Sequence, residues 1–308
     1  MGNKRIIAIT GGTGFIGKSL AEKHIQLGDN VRVLSRRDGA PNNYTTHYKT
    51  DLICPDAQVL RSFVDGADVI YHCAGELHDE ILMERVHVDG TRVLLQAAQN
   101  SNGRWVQLSS VGAYGPCHAG IRNTSSQEMP QGSYERTKTM SDRLVKESGL
   151  DYTILRPSIV FGEGMPNQSM RQMASMIRMR MFFYVGRGAI MNYVHVDDVV
   201  RALIVCGSSF RALNKVYILS DHITIEEMVK SLSIGLGVKT PKLRLPTLPI
   251  YLLVKIFGNF PGSPLSQQRL NAITNRCIYD SSLIKSELEF AVELRLQDAL
   301  IKYAQSIK

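Results

Sequence analysis

The chain opens with RIIAIT (Arg5 to Thr10), a short β-rich run, and continues at once into TGGTGFIG (Thr10 to Gly17). A buried strand that stops on glycines spaced GGxGxxG and leads into a helix is the first strand–turn–helix unit of a dinucleotide fold. The glycines serve three physical ends: a tight turn, close approach of backbone to a pyrophosphate, and packing of helix on strand. The helix then points unpaired N–H groups and the positive end of its dipole at the phosphates. Gly11, Thr13, Gly14, Phe15, Ile16 and Gly17 are therefore expected to hold the cofactor.

The rest of the chain supports a parallel, doubly wound sheet. Short apolar runs Val31–Leu34, Asp68–Cys73, Trp105–Leu108 and Tyr152–Arg156 alternate with helical periodicity over Phe15–Leu27, Asp56–Val64, Glu80–Gln99 and Tyr134–Ser148. Continuous apolar strands separated by helices mean a sheet covered on both faces, the α/β class. After Pro157 the composition shifts to Gly, Pro, Asn and Met. Val194–Val205 reads as a return to the first domain, followed by a strand at Val216–Leu219, and Thr224 opens a capping box with Glu227. We divide the chain into a nucleotide domain, 1–165 with 190–220, and a substrate lobe, 166–189 with 221–308.

Composition excludes several classes. With 44% hydrophobic and 21% charged residues over 308 positions, the chain is neither disordered nor fibrous. Lys plus Arg number 36 against 28 Asp plus Glu, a net +8 without like-charge blocks, so no nucleic-acid partner is expected. No apolar run reaches the roughly 20 residues of a membrane span. Five cysteines, none in a CxxC pair, speak against a disulfide framework or a zinc site and point to a reducing, cytoplasmic compartment. His72, His87 and His195 lack metal-ligand spacing, and no metal is expected.

The residue after the second strand selects the cofactor. Dinucleotide binders for NAD usually carry Asp or Glu there. Here Ser35-Arg36-Arg37 follow VRVL, and two guanidiniums suit a 2′-phosphate, so NADP is favoured over NAD. Ser109 and Ser110 end the strand WVQL, where open α/β sheets hold ligands. Tyr134 and Lys138 stand at i,i+4 and share a helix face. A lysine ammonium one turn away, plus a nearby nicotinamide cation, favours the phenolate and is expected to lower the tyrosine pKa. The spacing YxxxK alone is weak: Tyr251 and Lys255 repeat it, in an apolar stretch with no serine-bearing strand before it, and we read that copy as packing.

TGGTGFIG, Asp51-Leu52, HCAGE (72–76), LSSVGAYG (108–115), YERTK (134–138), LRPSIVFGEG (155–164) and YVHVDDVV (193–200) occur in this order. Together they resemble the extended short-chain dehydrogenase/reductase family, its NAD(P)-dependent epimerase/dehydratase group. The resemblance covers nearly the whole chain. It implies Ser110, Tyr134 and Lys138 as catalytic triad, Asp51 and Leu52 near the adenine, Ala74 and Gly75 near the phosphates and ribose, and Pro157 to Ile159 beside the nicotinamide. It also implies a homodimer through the helices 80–99 and 134–148.

Departures from the family pattern narrow the chemistry. Val111-Gly112 replace the Asp-Glu pair that dehydratases carry after the catalytic hydroxyl residue, which disfavours dehydration. His87 stands where relatives often have Asn. Met191-Asn192 replace an Arg-Asp whose arginine grips a substrate diphosphate; Arg187, Arg269 and Arg276 are candidate substitutes. LEF (288–290) stands for Leu-Gly-Phe. The leading expectation is hydride transfer at C4 of a nucleotide-activated sugar, as 4-ketoreductase or 4-epimerase. One alternative is a lipophilic ketone, as in 3β-hydroxysteroid-dehydrogenase-like and dihydroflavonol-reductase-like relatives, favoured by the apolar stretch near Leu248 to Phe260. A further alternative is a redox-inert nucleotide-binding subunit.

Overall fold

The computed structural model describes residues 4–36, 45–257 and 267–308. The first half runs β1 (Ile6–Thr10), α1 (Phe15–Gln26), β2 (Asn30–Ser35), β3 (Thr45–Lys49), α2 (Ala57–Val64) and β4 (Val69–His72). There follow α3 (Glu80–Glu84), a π-helical turn at Arg85–Asp89, α4 (Gly90–Ala98), β5 (Arg104–Leu108), β6 (Ala119–Arg122), α5 (Ser133–Glu147) and β7 (Tyr152–Pro157). The second half continues with β8 (Ile159–Phe161), α6 (Ser169–Arg178), β9 (Tyr184–Val185), β10 (Ile190–His195), α7 (Val196–Ser208), β11 (Lys215–Leu219) and β12 (Asp221–Thr224). It ends with α8 (Ile225–Leu236), β13 (Arg244–Leu245), α9 (Thr247–Phe257), α10 (Gln267–Thr274), β14 (Arg276–Tyr279), α11 (Ser282–Leu288) and α12 (Leu296–Ser306).

Seven parallel strands form the main sheet in the order β11-β7-β5-β4-β1-β2-β3. The chain winds outward from β1 in one direction and then, from β4, in the other. The crevice between β1 and β4 is the switch point, where such sheets take their ligands. Ile7, Ile9, Val33 and Tyr71 pack one face of the sheet against α1 and α7; Ala8, Ile70 and Trp105 pack the other against α2, α4 and α5.

Two features lay outside the sequence expectations. β3, TTHYK, is a half-polar edge strand without alternation, and it forms because Val31 to Ser35 offer it a template. The helix expected over Glu80–Gln99 is broken into α3, the π turn and α4, an insertion that carries His87 into the interior.

The second core gathers Phe161, Met170, Ile177, Met191, Met228 and Leu300 from β8, α6, β10, α8 and α12. Thr224 caps α8 as expected, with Glu227 returning the hydrogen bond. Ile284 and Phe290, from the C-terminal part of the chain, join the core of the large sheet instead.

The reading of the cysteines is corrected. β6 and β14 pair in parallel with Cys277 opposite Gly120, and the chain just before β6 sets Cys117 beside Cys277, Cα atoms 5.6 Å apart, in a disulfide. A separation of 160 residues carries no spacing signal, so only the strand pairing reveals it. Cys54, Cys73 and Cys206 remain thiols. Among the described residues no helix is long and apolar enough to cross a membrane.

Candidate active site

The carboxyl ends of β1 and β4 open a cleft at the switch point. Gly11 has φ +66°, and a Cβ there would meet the Ala74 backbone at 2.8 Å. A Cβ on Gly17 would strike the Gly11 carbonyl. These two positions let the loop fold against β4 and leave a backbone cradle. The start of α1 has Gly14 at its cap and no side chain bonding its N–H groups. A phosphate-sized anion fits such a helix end.

Gly11, Thr13, Gly14, Arg36, Asp51, Leu52, Ala74 and Gly75 line this end of the cleft, a cavity of about 240 Å³. Phe15, Ile16, Gly17, Ser109, Ser110, Tyr134, Lys138, Pro157 and Ile159 line the adjoining cavity of about 670 Å³, which Gly11, Gly14, Ala74 and Gly75 share. The described residues thus bring all the expected positions together. Arg37 lies outside the described residues. Glu76, not singled out from sequence, also lines the phosphate end, its carboxyl lowered by the backbone N–H groups of His78, Leu77 and Asp79.

Ser110 follows β5, and its hydroxyl accepts a bond from the Gly112 N–H at 3.1 Å. Among the described hydrogen bonds that hydroxyl only accepts, so its proton is available to a ligand. Tyr134 and Lys138 project from α5, with Lys138 5% exposed. Burial, then Glu135 and Asp142, push the Tyr134 phenol up to about 12. Desolvation of the phenolate dominates that shift; the expected lowering also calls on a nicotinamide cation, which the protein's own groups do not supply. The Lys138 ammonium is itself weakened by burial and supported by Asp142.

Behind these groups lies a polar layer. Asp142, one turn beyond Lys138, is fully buried; it accepts from Ser109 at 2.7 Å and from Arg156 at 2.8 and 3.0 Å. Burial raises its carboxyl while Arg156 opposes. Glu128 completes the set, 2.6 Å from Arg156. The i+4 step from Lys138 to Asp142 is a usable sequence signal; the partner Arg156 is not, because it lies on a different element.

His87 accepts the Glu76 N–H on Nε2 at 2.9 Å, and its Nδ1 lies 2.8 Å from the Thr137 hydroxyl. It thus joins the Glu76 turn at one end of the cleft to α5. His72 sits 2.7 Å from the Thr10 hydroxyl and 2.9 Å from that of Thr91. Burial lowers His72 to about 3 and His87 to about 2, so both are neutral. The Cys73 thiol, also on the cleft wall, is pushed up by burial to about 12 and stays protonated.

A third cavity of about 390 Å³ continues from the triad into the second lobe. Val111, Ser158 and Ile159 mark its inner end, and Met173, Met176, Phe182, Phe183, Met191 and Ile273 its walls. No lysine or arginine lines it among the described residues. Arg276 turns instead to the Arg187 carbonyl at 2.8 Å. The Arg269 side chain lies outside the described residues.

Residues 7–218 match the family described as NAD dependent epimerase/dehydratase. A ceramide reductase of Caulobacter vibrioides is 25% identical over 78% of this chain and 74% of its own length. A UDP-glucose 4-epimerase of Vibrio cholerae is 25% identical over 97% of this chain and 94% of its own. The crystal structure of a UDP-glucose 4-epimerase of Thermotoga maritima with UDP-glucose superposes with a TM-score of 0.76, at 19% identity, over 97% of each chain.

Proposed function

The chain belongs to the NAD dependent epimerase/dehydratase family, whose members are nicotinamide-dependent oxidoreductases and epimerases, and on that basis we propose that it reduces the ketone of a lipophilic substrate with NADPH. The observation that carries this reading is the cavity beside Val111 and Ile159, walled by methionine, phenylalanine and isoleucine with no cation among the described residues. A substrate diphosphate buried there would lack a partner for its charge.

The residues fit the cofactor. The glycine cradle and the open start of α1 suit its pyrophosphate, and Asp51 and Leu52 the adenine end. Arg36, exposed at the lip beyond β2 with no acid ending that strand, favours a 2′-phosphate. Once bound, NADPH supplies the hydride that converts the ketone carbon to a carbinol. The protein's residues handle the oxygen. The Ser110 hydroxyl donates to the carbonyl oxygen and fixes its position. Tyr134 gives that oxygen its phenolic proton; a phenol held near 12 is fully protonated at neutral pH, as a proton donor must be. Lys138 then faces the phenolate that remains and stabilises it.

A second reading keeps the nucleotide sugar, with hydride transfer at C4. The Vibrio cholerae relative, matched over nearly the full length of this chain, favours it. The test is NADPH consumption with a lipophilic cyclic ketone and, in parallel, a UDP-4-keto sugar. Turnover of the lipophilic ketone, reduced about 10²- to 10⁴-fold in Tyr134→Phe, is the expected result. Turnover of the sugar alone would replace the first reading with the second. Tight NADPH binding with neither substrate turned over would overturn the reductase assignment.

A further inference from the structure

The positive charge of this chain is not evenly spread. Residues 164–196 contain Arg171, Arg178, Arg180 and Arg187 and no Asp or Glu. Residues 238–279 contain Lys239, Lys242, Arg244, Lys255, Arg269 and Arg276, again with no Asp or Glu. The whole chain has 36 basic and 28 acidic residues, so its entire positive excess lies in these two stretches.

The fold joins them. β9 pairs with β13, and the Tyr184 N–H donates to the Leu243 carbonyl at 2.9 Å. Ile250 and Val254 pack α9 inward against Val185 and Leu270. The opposite face of α9 carries Leu248, Tyr251, Leu252 and Lys255 at i, i+3, i+4 and i+7, all exposed. Leu248 is 69% exposed and Leu252 51%. At the end of α6, Met179 and Met181 are 56% and 63% exposed. Arg178, Arg180, Lys242 and Lys255 are exposed as well; Arg178 donates to the Lys308 main-chain oxygen at 3.4 Å, and the other three pair with no described carboxylate. Met176, on α6, is exposed and also part of the wall of the apolar cavity.

We propose that this face docks on an anionic lipid bilayer, with Leu248, Tyr251, Leu252, Met179 and Met181 in the headgroup–acyl boundary and the four cations against lipid phosphates. An apolar helix face with a lysine at its border, inside a stretch of chain free of carboxylates, has the chemistry of an interfacial helix. The cavity then opens toward the membrane past Met176, a route for a water-insoluble ketone. That route rests on the lipophilic-substrate reading; the docking itself does not.

The test is co-sedimentation of the full chain with vesicles of mixed phosphatidylglycerol and phosphatidylcholine, and with vesicles of phosphatidylcholine alone. Binding is expected to the anionic vesicles and to weaken as salt rises. The pair Leu248→Asp with Leu252→Asp, and separately Arg178→Glu with Arg180→Glu, should each lower partitioning about 10-fold or more. Both variants should bind NADPH as the parent does, which shows that the nucleotide domain is intact. Absence of binding to anionic vesicles overturns the proposal. So does binding that the leucine pair leaves unchanged, which would be adsorption by charge alone. Self-association lost in the leucine pair, without vesicle binding, would assign the face to a second copy of this chain and equally overturn it. Vesicle binding without turnover of any lipophilic ketone would sink the substrate reading and leave the docking in place.

Discussion

Lowering the pH from neutral to about 5 should cost this fold about 4 kcal/mol through two imidazoles. His72 and His87 are each 1% exposed and neutral. Their environments forbid the second proton: His87 Nε2 already accepts the Glu76 N–H, so a proton there would set two donors face to face. Lys138 adds an unfavourable charge to both. Their ordinary value is 6.5, and the fold lowers them to about 3 and about 2. Below 6.5 the unfolded chain takes up protons that the folded chain refuses. Their contribution is therefore complete above that pH and is lost as pH falls. Each group loses roughly 1.36 kcal/mol per pH unit, hence about 2 kcal/mol each by pH 5. His24, also lowered by burial, adds in the same direction. The assay is urea unfolding followed by circular dichroism at a series of pH values, with each variant compared to itself at neutral pH. His72→Asn and His87→Asn should each remove about half of the 4 kcal/mol. An unchanged slope in both variants, or either imidazole titrating near its ordinary value by NMR, would refute the argument.

Two further outcomes follow from the buried groups. Asp142→Asn leaves the buried Arg156 guanidinium with Glu128 as its remaining counter-charge and should destabilise the fold by about 2–3 kcal/mol in urea, a loss that a surface variant such as Asp89→Asn does not reproduce. Reduction of the Cys117–Cys277 bond should lower stability by about 2–4 kcal/mol in the parent and leave Cys117→Ser unaffected; five titratable thiols in the oxidised, unfolded protein would show that the bond is absent.

Local signals carried most of the cofactor site. Gly11 and Gly17 are legible because only glycine tolerates the backbone approach that their turn requires, and the run that precedes them is short, apolar and buried. Tyr134 and Lys138 are legible because helical spacing fixes which side chains share a face. Thr224 and Glu227 are legible because a cap is a contact between neighbours. Each of these depends on residues a few positions apart, so the sequence contains both partners.

What the sequence could not decide depends on partners far along the chain. Tyr134 is held near 12 by the protein's own groups because desolvation depends on everything packed around the phenol. Cys117 and Cys277 meet only because β6 and β14 pair. Arg156 finds Asp142 across two elements, and the apolar cavity exists only when α6, β10 and α10 close around it. Spacing determined which residues stand together on one turn or one face. Burial and long-range pairing, which arise only when the elements pack, determined their charge and their partners.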